Sequence, residues 1–364
     1  MLHVPPEAVR HDEAFFKFSD RHVNRVALFP NRAAAIAVND LDTRYNRRIM
    51  AQTPWGDLPV NDAHVHFFSR EFYRGLARQK KLTDIDALGR LLNWDIPAPD
   101  PAKLAQRWLA EFDRYGVRRA CLIGSAPGDE AGVSAAVSAS PERFFGYFMV
   151  DPLQTDALDR VKSAALNPHL HCICLFPAMH KFSIADPRLL PMFELASEHL
   201  LSVFVHCGAL SVGVRKKLSL PSQFDMRFSN PLDVHPVALH FPRIRFIVPH
   251  FGAGLFREAL MLADLCPNVY LDTSSTNRWM AYEGLDLRSV FRRSIDLIGV
   301  GRLLFGTDSS FFPRGWQAAI LEQQATALYE LGLDKQQATQ ILNQNLERVH
   351  QPRTAFTVSQ TASD

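Results

Sequence analysis

The most informative stretch of the sequence is DAHVHFF at residues 62–68, because it places His64 and His66 two residues apart at the end of an apolar run. Alternate side chains of a strand point to the same side, so both imidazoles can face one metal ion. Three further apolar runs end in polar residues: VFVHCG at 203–208, FIVPHFG at 246–252 and LLFGTDSSFF at 303–312. In a barrel of parallel strands, the carboxyl ends of different strands meet at one mouth. We therefore expect the four runs to build one site.

Eight short apolar segments rich in β-branched and aromatic residues predict the strands of such a barrel. They lie at about 58–67, 117–125, 143–151, 171–179, 200–207, 243–251, 268–275 and 302–309. Stretches with helical periodicity separate most of them, and alternating strands and helices predict a parallel sheet. Since there are eight strands and several are apolar on both faces, an α/β fold of the (β/α)8 TIM-barrel type is favoured over an open sheet. No G-x-G-x-x-G follows the first strand, which disfavours a dinucleotide fold.

The domain organisation follows from where the barrel pattern begins and ends. We expect an N-terminal extension at 1–57 packed on the barrel, a barrel at 58–350, and a loose C-terminal tail at 351–364. Within the extension, 32–51 has the apolar stripe of a helix, which Pro54 and Gly56 then end. This helix either packs on the barrel or offers a surface to a second subunit, so a homodimer is one expectation.

Composition narrows the class of function. The chain has 40 Lys and Arg against 38 Asp and Glu, a balance that disfavours nucleic-acid or membrane partners and favours a small-molecule substrate. Its five cysteines lie in apolar runs without C-x-x-C spacing, which predicts free buried thiols in a reducing compartment. The amino terminus has no signal-peptide pattern. These features predict a cytoplasmic protein.

The polar residues of the four runs are typical of a metal site. Neutral imidazole is a good metal ligand, and a carboxylate such as Asp308 adds charge while a coordination position stays open for water. His206 or His250 alone would be more typical of a hydrogen-bonded core histidine. Because all four runs share one pattern, the set favours a catalytic metal centre.

These motifs resemble the amidohydrolase superfamily, in the branch similar to aminocarboxymuconate-semialdehyde decarboxylase, and the resemblance covers about 58–350. It implies a barrel with one divalent metal ion, usually zinc, although manganese or iron suits the same ligands. The implied ligands are His64, His66, His206 and Asp308. His250 is then assigned to acid/base chemistry, and Asp308 takes a proton from water. Many superfamily members bridge two metals with a lysine on the fourth strand, but HCICLFPAMHKF at 171–182 has cysteines there, which favours a mononuclear site.

Two reactions fit this chemistry. The first is hydrolysis of an amide, ester or lactone by metal-activated water. The second is non-oxidative decarboxylation of a carboxylated aromatic or enal substrate. A metal-binding barrel without turnover is a third alternative.

Loop residues are the candidates for substrate contacts and for support of the ligands. Arg215 lies in a long loop after the fifth strand and predicts a carboxylate-bearing substrate, although it could equally belong to a solvated surface. The other substrate candidates are His180, Trp279 and Arg314, with the alternatives of a plain loop histidine for His180 and rim packing for Trp279. Asp62 is expected to accept a hydrogen bond from a ligand imidazole. Asp272 either orients His250 or caps a helix.

Overall fold

The computed structural model describes residues 49–210, 213–274 and 277–351. The barrel strands within these ranges are β1 (Val60–Phe67), β2 (Val117–Gly124), β3 (Phe144–Val150), β4 (Leu170–Leu175), β5 (Ser202–Val205), β6 (Phe246–Val248), β7 (Val269–Asp272) and β8 (Leu303–Leu304). Each strand pairs in parallel with the next one along the chain. A parallel bridge between Val65 and Ser309, and a 2.8 Å hydrogen bond from the Ala63 N–H to the Phe305 carbonyl, join β1 to the segment after β8. The predicted (β/α)8 barrel is confirmed as eight parallel strands in a nearly closed ring.

Helices connect the strands and cover the barrel. The α-helices are Arg70–Lys80, Ile85–Leu92, Pro101–Tyr115, Glu130–Ser138, Ala157–Ala165, Pro177–His180, Leu190–Glu198, Gly213–Lys217, His235–His240, Phe256–Leu265, Met280–Glu283, Leu287–Ile298, Ala318–Glu330, Lys335–Thr339 and Asn345–His350. Short 3₁₀ segments lie at Pro187–Leu189, Met226–Phe228, Pro231–Val234, Pro249–Gly252, Asn277–Trp279 and Val300–Arg302, with a π-turn at Gln340–Gln344. No helix in the described ranges combines the length and the apolar character needed to cross a membrane.

Local chemistry explains where these helices begin and end. The helix Pro101–Tyr115 starts after Asp100, whose side chain accepts a 3.0 Å hydrogen bond from the Ala102 N–H, and proline fits its first position because no amide hydrogen is needed there. It ends at Gly116, which has φ +73°. A β-carbon at Gly116 would lie 2.0 Å from the Met50 carbonyl oxygen, so glycine both ends the helix and lets another chain segment approach.

Several strands are shorter than predicted, because the chain leaves the sheet to form the mouth. The predicted segment 171–179 ends at Leu175, since Pro177 begins a helical turn. The predicted segment 243–251 narrows to Phe246–Val248, since Pro249–Gly252 forms a tight turn. Proline has no N–H to donate to a strand ladder, which accounts for both corrections.

Two apolar layers stabilise the barrel. The outer layer lies between the strands and the helices, and the inner layer fills the ring with side chains such as Cys121, Tyr147, Cys172, Cys174 and Phe204. All five cysteines are free and buried, as predicted. Burial raises the pKa of the Cys121 and Cys172 thiols well above its ordinary range, so they behave as small apolar groups.

The segment before the barrel differs from its prediction in the part that is described. The helix predicted at 32–51 lies outside the described residues except for its last three. Of these, Ala51 begins a strand, Ala51–Thr53, that pairs antiparallel with Gly56–Leu58. Pro54 and Trp55 therefore form the turn of a hairpin, and Gly56 begins its second strand instead of ending a helix. The tail predicted at 351–364 lies outside the described residues after Gln351.

Candidate metal centre

Three side chains from β1 and the loop after β8 converge at the carboxyl end of the barrel. The Nε2 atoms of His64 and His66 are 3.4 Å apart. Asp308 Oδ1 lies 3.3 Å from the His66 Nε2 and 3.7 Å from the His64 Nε2. Two imidazole nitrogens and a carboxylate oxygen at this spacing fit a single divalent cation.

The outer edges of both imidazoles are held by hydrogen bonds that fix their tautomers. His64 Nδ1 is 2.6 Å from Asp272 Oδ2 and 2.9 Å from the Ser274 hydroxyl oxygen. His66 Nδ1 is 2.8 Å from the Ser125 hydroxyl oxygen, which itself donates to the Ile123 carbonyl at 3.1 Å. The Ser125 oxygen therefore accepts from His66, and the Asp272 carboxylate accepts from His64. Both rings carry their hydrogen on Nδ1, which leaves the two facing Nε2 lone pairs available to a metal.

His206 lies beside this group without belonging to the convergent set. Its ring stacks on Phe176 at 5.5 Å and lies 5.4 Å from the His250 ring. Burial, together with the nearby imidazoles of His250 and His64, lowers its pKa well below the ordinary value, so the ring is neutral. Its Nδ1 is buried and has no hydrogen-bond partner among the described residues. A buried imidazole nitrogen without a partner is costly, which suits His206 to the role of a further metal ligand.

His250 occupies a tight turn directly after β6. Both His250, at φ +55°, and Phe251, at φ +52°, have the left-handed backbone conformation that side chains other than glycine rarely adopt. The His250 Nδ1 lies 2.9 Å from the Ser274 carbonyl oxygen, which can only accept, so Nδ1 carries the hydrogen. Burial and the neighbouring His64 lower its pKa below the ordinary value. His250 is therefore a neutral imidazole whose unprotonated nitrogen is Nε2.

Asp308 also has a left-handed backbone, at φ +58°, and several contacts fix it there. Its N–H donates to the His64 carbonyl at 3.0 Å, and its carbonyl accepts from Gln317 Nε2 at 3.2 Å. Burial opposes ionisation of the carboxyl, but the adjacent imidazoles of His66 and His64 outweigh it and hold the pKa below its ordinary range. Asp308 is thus a carboxylate.

Asp62 was expected to accept a hydrogen bond from a ligand imidazole, but it accepts instead from two backbone N–H groups and two side chains. Its oxygens accept from the backbone N–H of His64 at 2.9 Å and of Thr307 at 3.1 Å, from the Thr307 hydroxyl at 2.5 Å and from Trp316 Nε1 at 2.7 Å. Full burial raises its pKa to about 6 despite these donors. Because His64 is a ligand on β1 and Thr307 directly precedes the ligand Asp308, Asp62 ties β1 to the loop that carries Asp308.

A glycine makes room for the contacts around His64. A β-carbon at Gly306 would lie 2.7 Å from Asp272 Oδ1 and 2.9 Å from the β-carbons of His64 and Ser274. No real β-carbon contact is this close, so any side chain at 306 would displace the carboxylate that orients His64. Asp272 was expected to orient His250 or to cap a helix, but its carboxylate contacts His64 instead.

The predicted substrate residues divide between the mouth and other places. Arg314 lies at the mouth, where it donates to the Asp308 carbonyl at 3.2 Å and to the Ser310 hydroxyl at 2.7 Å. Arg215 instead donates to Gln79 and to the Pro221 carbonyl, which ties its guanidinium into the long loop.

The other two candidates, Trp279 and His180, each have a buried nitrogen without a partner among the described residues. Trp279 is 3% exposed and packs against Phe256 at 5.6 Å in the outer apolar layer. That is the rim packing which was the alternative expectation. His180 ends the helical turn after β4, and its unpartnered nitrogen is Nδ1. Burial lowers the His180 pKa, with the charge of Asp151 opposing that shift.

Sequence reasoning missed the residues that support the ligands: Ser125, Ser274, Thr307, Trp316 and Gln317. Ser274 could have been found, because it lies two residues after Asp272 at the end of the same strand. The partnership of Asp62 with Trp316 has no local signal, since 254 positions separate the two residues.

Only one group of metal-binding side chains converges within the described ranges, namely His64, His66 and Asp308. The strand where a bridging lysine would lie carries Cys172 and Cys174, whose side chains belong to the inner apolar layer. The described residues therefore support a single metal position.

The family comparison gives an independent result. A model of the amidohydrolase family, described as "Amidohydrolase", matches residues 62–349. This confirms the resemblance drawn from the motifs. Among curated proteins, the protein fluG of Emericella nidulans is 33% identical over 85 residues, which are 23% of this chain and 10% of that protein. The match therefore spans only about a tenth of that relative.

Solved structures with the same fold include both decarboxylases and hydrolases. A 5-carboxyvanillate decarboxylase from Sphingomonas paucimobilis is 16% identical with a TM-score of 0.57, over 80% of this chain and 99% of that one. A probable 2-pyrone-4,6-dicarboxylic acid hydrolase from Acinetobacter baumannii, with citric acid bound, is 13% identical with a TM-score of 0.52, over 80% and 99%.

Metal-bound neighbours carry manganese or zinc. A 5-carboxyvanillate decarboxylase from Novosphingobium aromaticivorans has bound manganese and 3-methoxy-4-hydroxy-5-nitrobenzoic acid; it is 14% identical with a TM-score of 0.54, over 80% of this chain and 96% of that one. An amidohydrolase from Burkholderia multivorans has bound zinc and is 12% identical with a TM-score of 0.53, over 80% and 99%.

Proposed function

Because this chain belongs to the amidohydrolase family, whose structural neighbours are hydrolases and decarboxylases, we propose that it hydrolyses a small-molecule amide, ester or lactone with the help of one divalent metal ion. We assign the metal to His64, His66 and Asp308, with His206 as the further ligand that the unpartnered Nδ1 supports. Such an ion supplies Lewis acidity, which polarises a substrate oxygen and acidifies water. We propose zinc, with manganese as the alternative that one neighbour carries.

The protonation state of His250 is the observation that carries the choice of hydrolysis. Its Nδ1–H donates to the Ser274 carbonyl, so its Nε2 begins the reaction without a proton. Hydrolysis starts with loss of a proton from the attacking water, which the His250 Nε2 or the Asp308 carboxylate can accept. His250 can then return that proton to the leaving nitrogen or oxygen. Hydrolysis therefore suits a histidine that first accepts a proton from water and later donates it to the leaving group.

Decarboxylation is the second candidate, favoured by aromatic side chains near the ligands. The Phe68 ring lies 5.4 Å from the His66 ring, and Arg314 lies over the Phe311 ring at 4.5 Å. Such a wall suits a carboxylated aromatic substrate, with Arg314 as the cation for its acid group. Decarboxylation requires a group that donates a proton to carbon at the start of the reaction. His250 can be that donor only after its Nε2 has been protonated.

A substrate panel distinguishes the two reactions. Protein purified without chelator is analysed for metal and then assayed with lactones, amides and esters for acid release and with carboxylated aromatics for carbon dioxide. We expect about one metal per chain and acid release. Carbon dioxide as the only product, from aromatic acids alone, would replace hydrolysis with decarboxylation.

The role of His250 is tested by His250→Asn. Asparagine tolerates the positive φ at this position, so the turn is kept. We expect kcat to fall by about 10²–10⁴-fold with the metal content unchanged, as for the loss of a general acid/base. An unchanged kcat would remove His250 from the mechanism.

Cytoplasmic residence and a homodimer stay predictions.

A further inference from the structure

Ser274, two residues after the end of β7, contacts three residues of the metal centre through three different groups. Its N–H donates to Asp272 Oδ1 at 2.6 Å, and its carbonyl accepts from His250 Nδ1 at 2.9 Å. Its hydroxyl oxygen lies 2.9 Å from His64 Nδ1 and 3.1 Å from His250 Nδ1. A single side-chain oxygen is therefore within hydrogen-bond distance of both the metal ligand and the acid/base histidine.

The direction of these hydrogen bonds follows from the protonation of the two rings. His64 donates from Nδ1 to the Asp272 carboxylate, and His250 donates from Nδ1 to the Ser274 carbonyl, so both Nδ1 atoms carry a hydrogen. The Ser274 hydroxyl oxygen has two lone pairs and can only accept from these N–H groups. Each N–H therefore makes a three-centre hydrogen bond, and the hydroxyl oxygen is the acceptor that the two bonds share.

The packing around Ser274 keeps this oxygen in place. Ser274 is fully buried, and a β-carbon at Gly306 would lie 2.9 Å from the β-carbons of both Ser274 and His64. The two residues thus pack against the same glycine. The rings of His64 and His250 lie 4.9 Å apart with 40° between their planes. An acceptor held at both Nδ1 edges fixes this separation, and with it the position of the His250 Nε2.

We propose that Ser274 is a positioning residue, whose hydroxyl holds His250 at a fixed distance from the metal ligand His64. The catalytic consequence rests on the proposed function, whereas the shared hydrogen bond does not depend on any reaction. An error of about 1 Å in the position of a reacting group can cost about 100-fold in rate. Because the Ser274 carbonyl and the Asp272 carboxylate still hold the two rings without the hydroxyl, we expect its loss to cost less.

The shared acceptor is tested by NMR of the metal-free full chain, isotope-labelled at the histidine nitrogens. The Nδ1–H signals of His64 and His250 are assigned from the spectra of His64→Asn and His250→Asn. We expect Ser274→Ala to shift both signals upfield, since each N–H loses one of its two acceptors. Ser294→Ala is the matched control, because Ser294 is also fully buried but donates to the Val290 carbonyl within another helix. The proposal is overturned if Ser274→Ala shifts only one signal or neither, or if the control shifts both equally.

Kinetics with a substrate from the panel test the consequence for the reaction. Ser274→Ala should lower kcat about tenfold through the displaced His250. It should leave KM unchanged, because the buried Ser274 does not reach the substrate. The metal content should stay at that of the unmodified chain. In the His250→Asn background, Ser274→Ala should cause no further loss of kcat, because it acts through His250.

Three kinetic outcomes would overturn the positioning role: an unchanged kcat in Ser274→Ala, a fall in kcat that is explained by lost metal, or the same fold-loss in the His250→Asn background. If the panel yields no substrate at all, the proposed hydrolysis fails. The NMR spectra then still decide whether His64 and His250 share the Ser274 hydroxyl.

Discussion

The two ends of the barrel each hold a histidine cluster, but only the carboxyl end combines it with a converging carboxylate among the described residues. There, the His64 and His66 Nε2 atoms and Asp308 face one another across 3.3–3.7 Å. At the amino end, the rings of His171 and His350 are 5.7 Å apart. No carboxylate contacts either of these two rings in the described part of the chain.

The nitrogens at the amino end are used within the protein itself. The Tyr147 hydroxyl is hydrogen-bonded to His350 Nε2 at 2.8 Å, and the Gly146 N–H donates to His171 Nδ1 at 3.2 Å. Burial lowers both pKa values, that of His171 to about 4 with the help of Arg119. Both rings are neutral and are hydrogen-bonded within a packed core. A metal centre is therefore distinguished from core histidines by free lone pairs that face a carboxylate, and not by the number of histidines.

The largest expected effect comes from Asp308→Asn, which removes the carboxylate that distinguishes the carboxyl end of the barrel from the amino end. Asparagine tolerates φ +58°, so the loop is kept. We expect metal affinity to fall by at least about 100-fold, since loss of an outer partner alone costs about 10–100-fold. Elemental analysis and competition with a chromophoric chelator measure it. His171→Asn is the control, and an equal loss of metal in that variant would break the distinction between the two ends.

Asp272→Asn should have the next largest effect, because it replaces the charged acceptor that fixes the His64 tautomer with a neutral amide, which can also donate. We expect the metal Kd to rise about 10–100-fold. Ser125→Ala, which removes the neutral acceptor of His66, should raise it less, by about tenfold or under. If Ser125→Ala weakens metal binding more than Asp272→Asn does, the carboxylate is not the stronger support.

Tyr147→Phe tests the amino end. It removes the 2.8 Å partner of the buried His350 Nε2 and leaves only the Cys121 Sγ at 4.0 Å, which should lower the free energy of unfolding by about 1–3 kcal/mol. Metal content should not change. Urea unfolding followed by fluorescence measures the first quantity and elemental analysis the second; a loss of metal at full stability would contradict a purely structural role.

The smallest expected effect, taken per pH unit, is a pH dependence of stability at the amino end. The His171 pKa is about 4 when folded and about 6.5 ordinarily, so the unfolded chain takes up the proton first as pH falls. The contribution of His171 is complete above about pH 6.5 and is lost as pH falls toward about 4, with a ceiling of about 1.4 kcal/mol per pH unit. The free energy of unfolding of the metal-free protein should depend less steeply on pH in His171→Asn than in the unmodified chain. Identical slopes would refute this role of His171.

The sequence was sufficient for features that depend on local geometry. His64 and His66 needed only the alternation of one strand, and the barrel followed from counting strands. The tight turn at His250 was beyond reach, because the sequence FIVPHFG also reads as a strand that runs on to the histidine. Its two left-handed residues are stabilised by contacts with other elements.

Contacts between distant segments could not be predicted. That Asp272 contacts His64 depends on how β7 lies relative to β1, which no local pattern specifies. Arg215 was expected at the mouth because of its charge, but its direction depends on the path of a long loop and on Gln79.

Gly306 has a practical consequence for anyone who wishes to graft this centre onto another barrel. Copying the histidines, the aspartates and the serines would transfer every donor and acceptor and still fail if the recipient carried an alanine at this point, because Asp272 could not reach His64. A design of the centre must therefore also specify the space around position 306. In the sequence this space corresponds to a glycine, which has no side chain and takes no part in the chemistry.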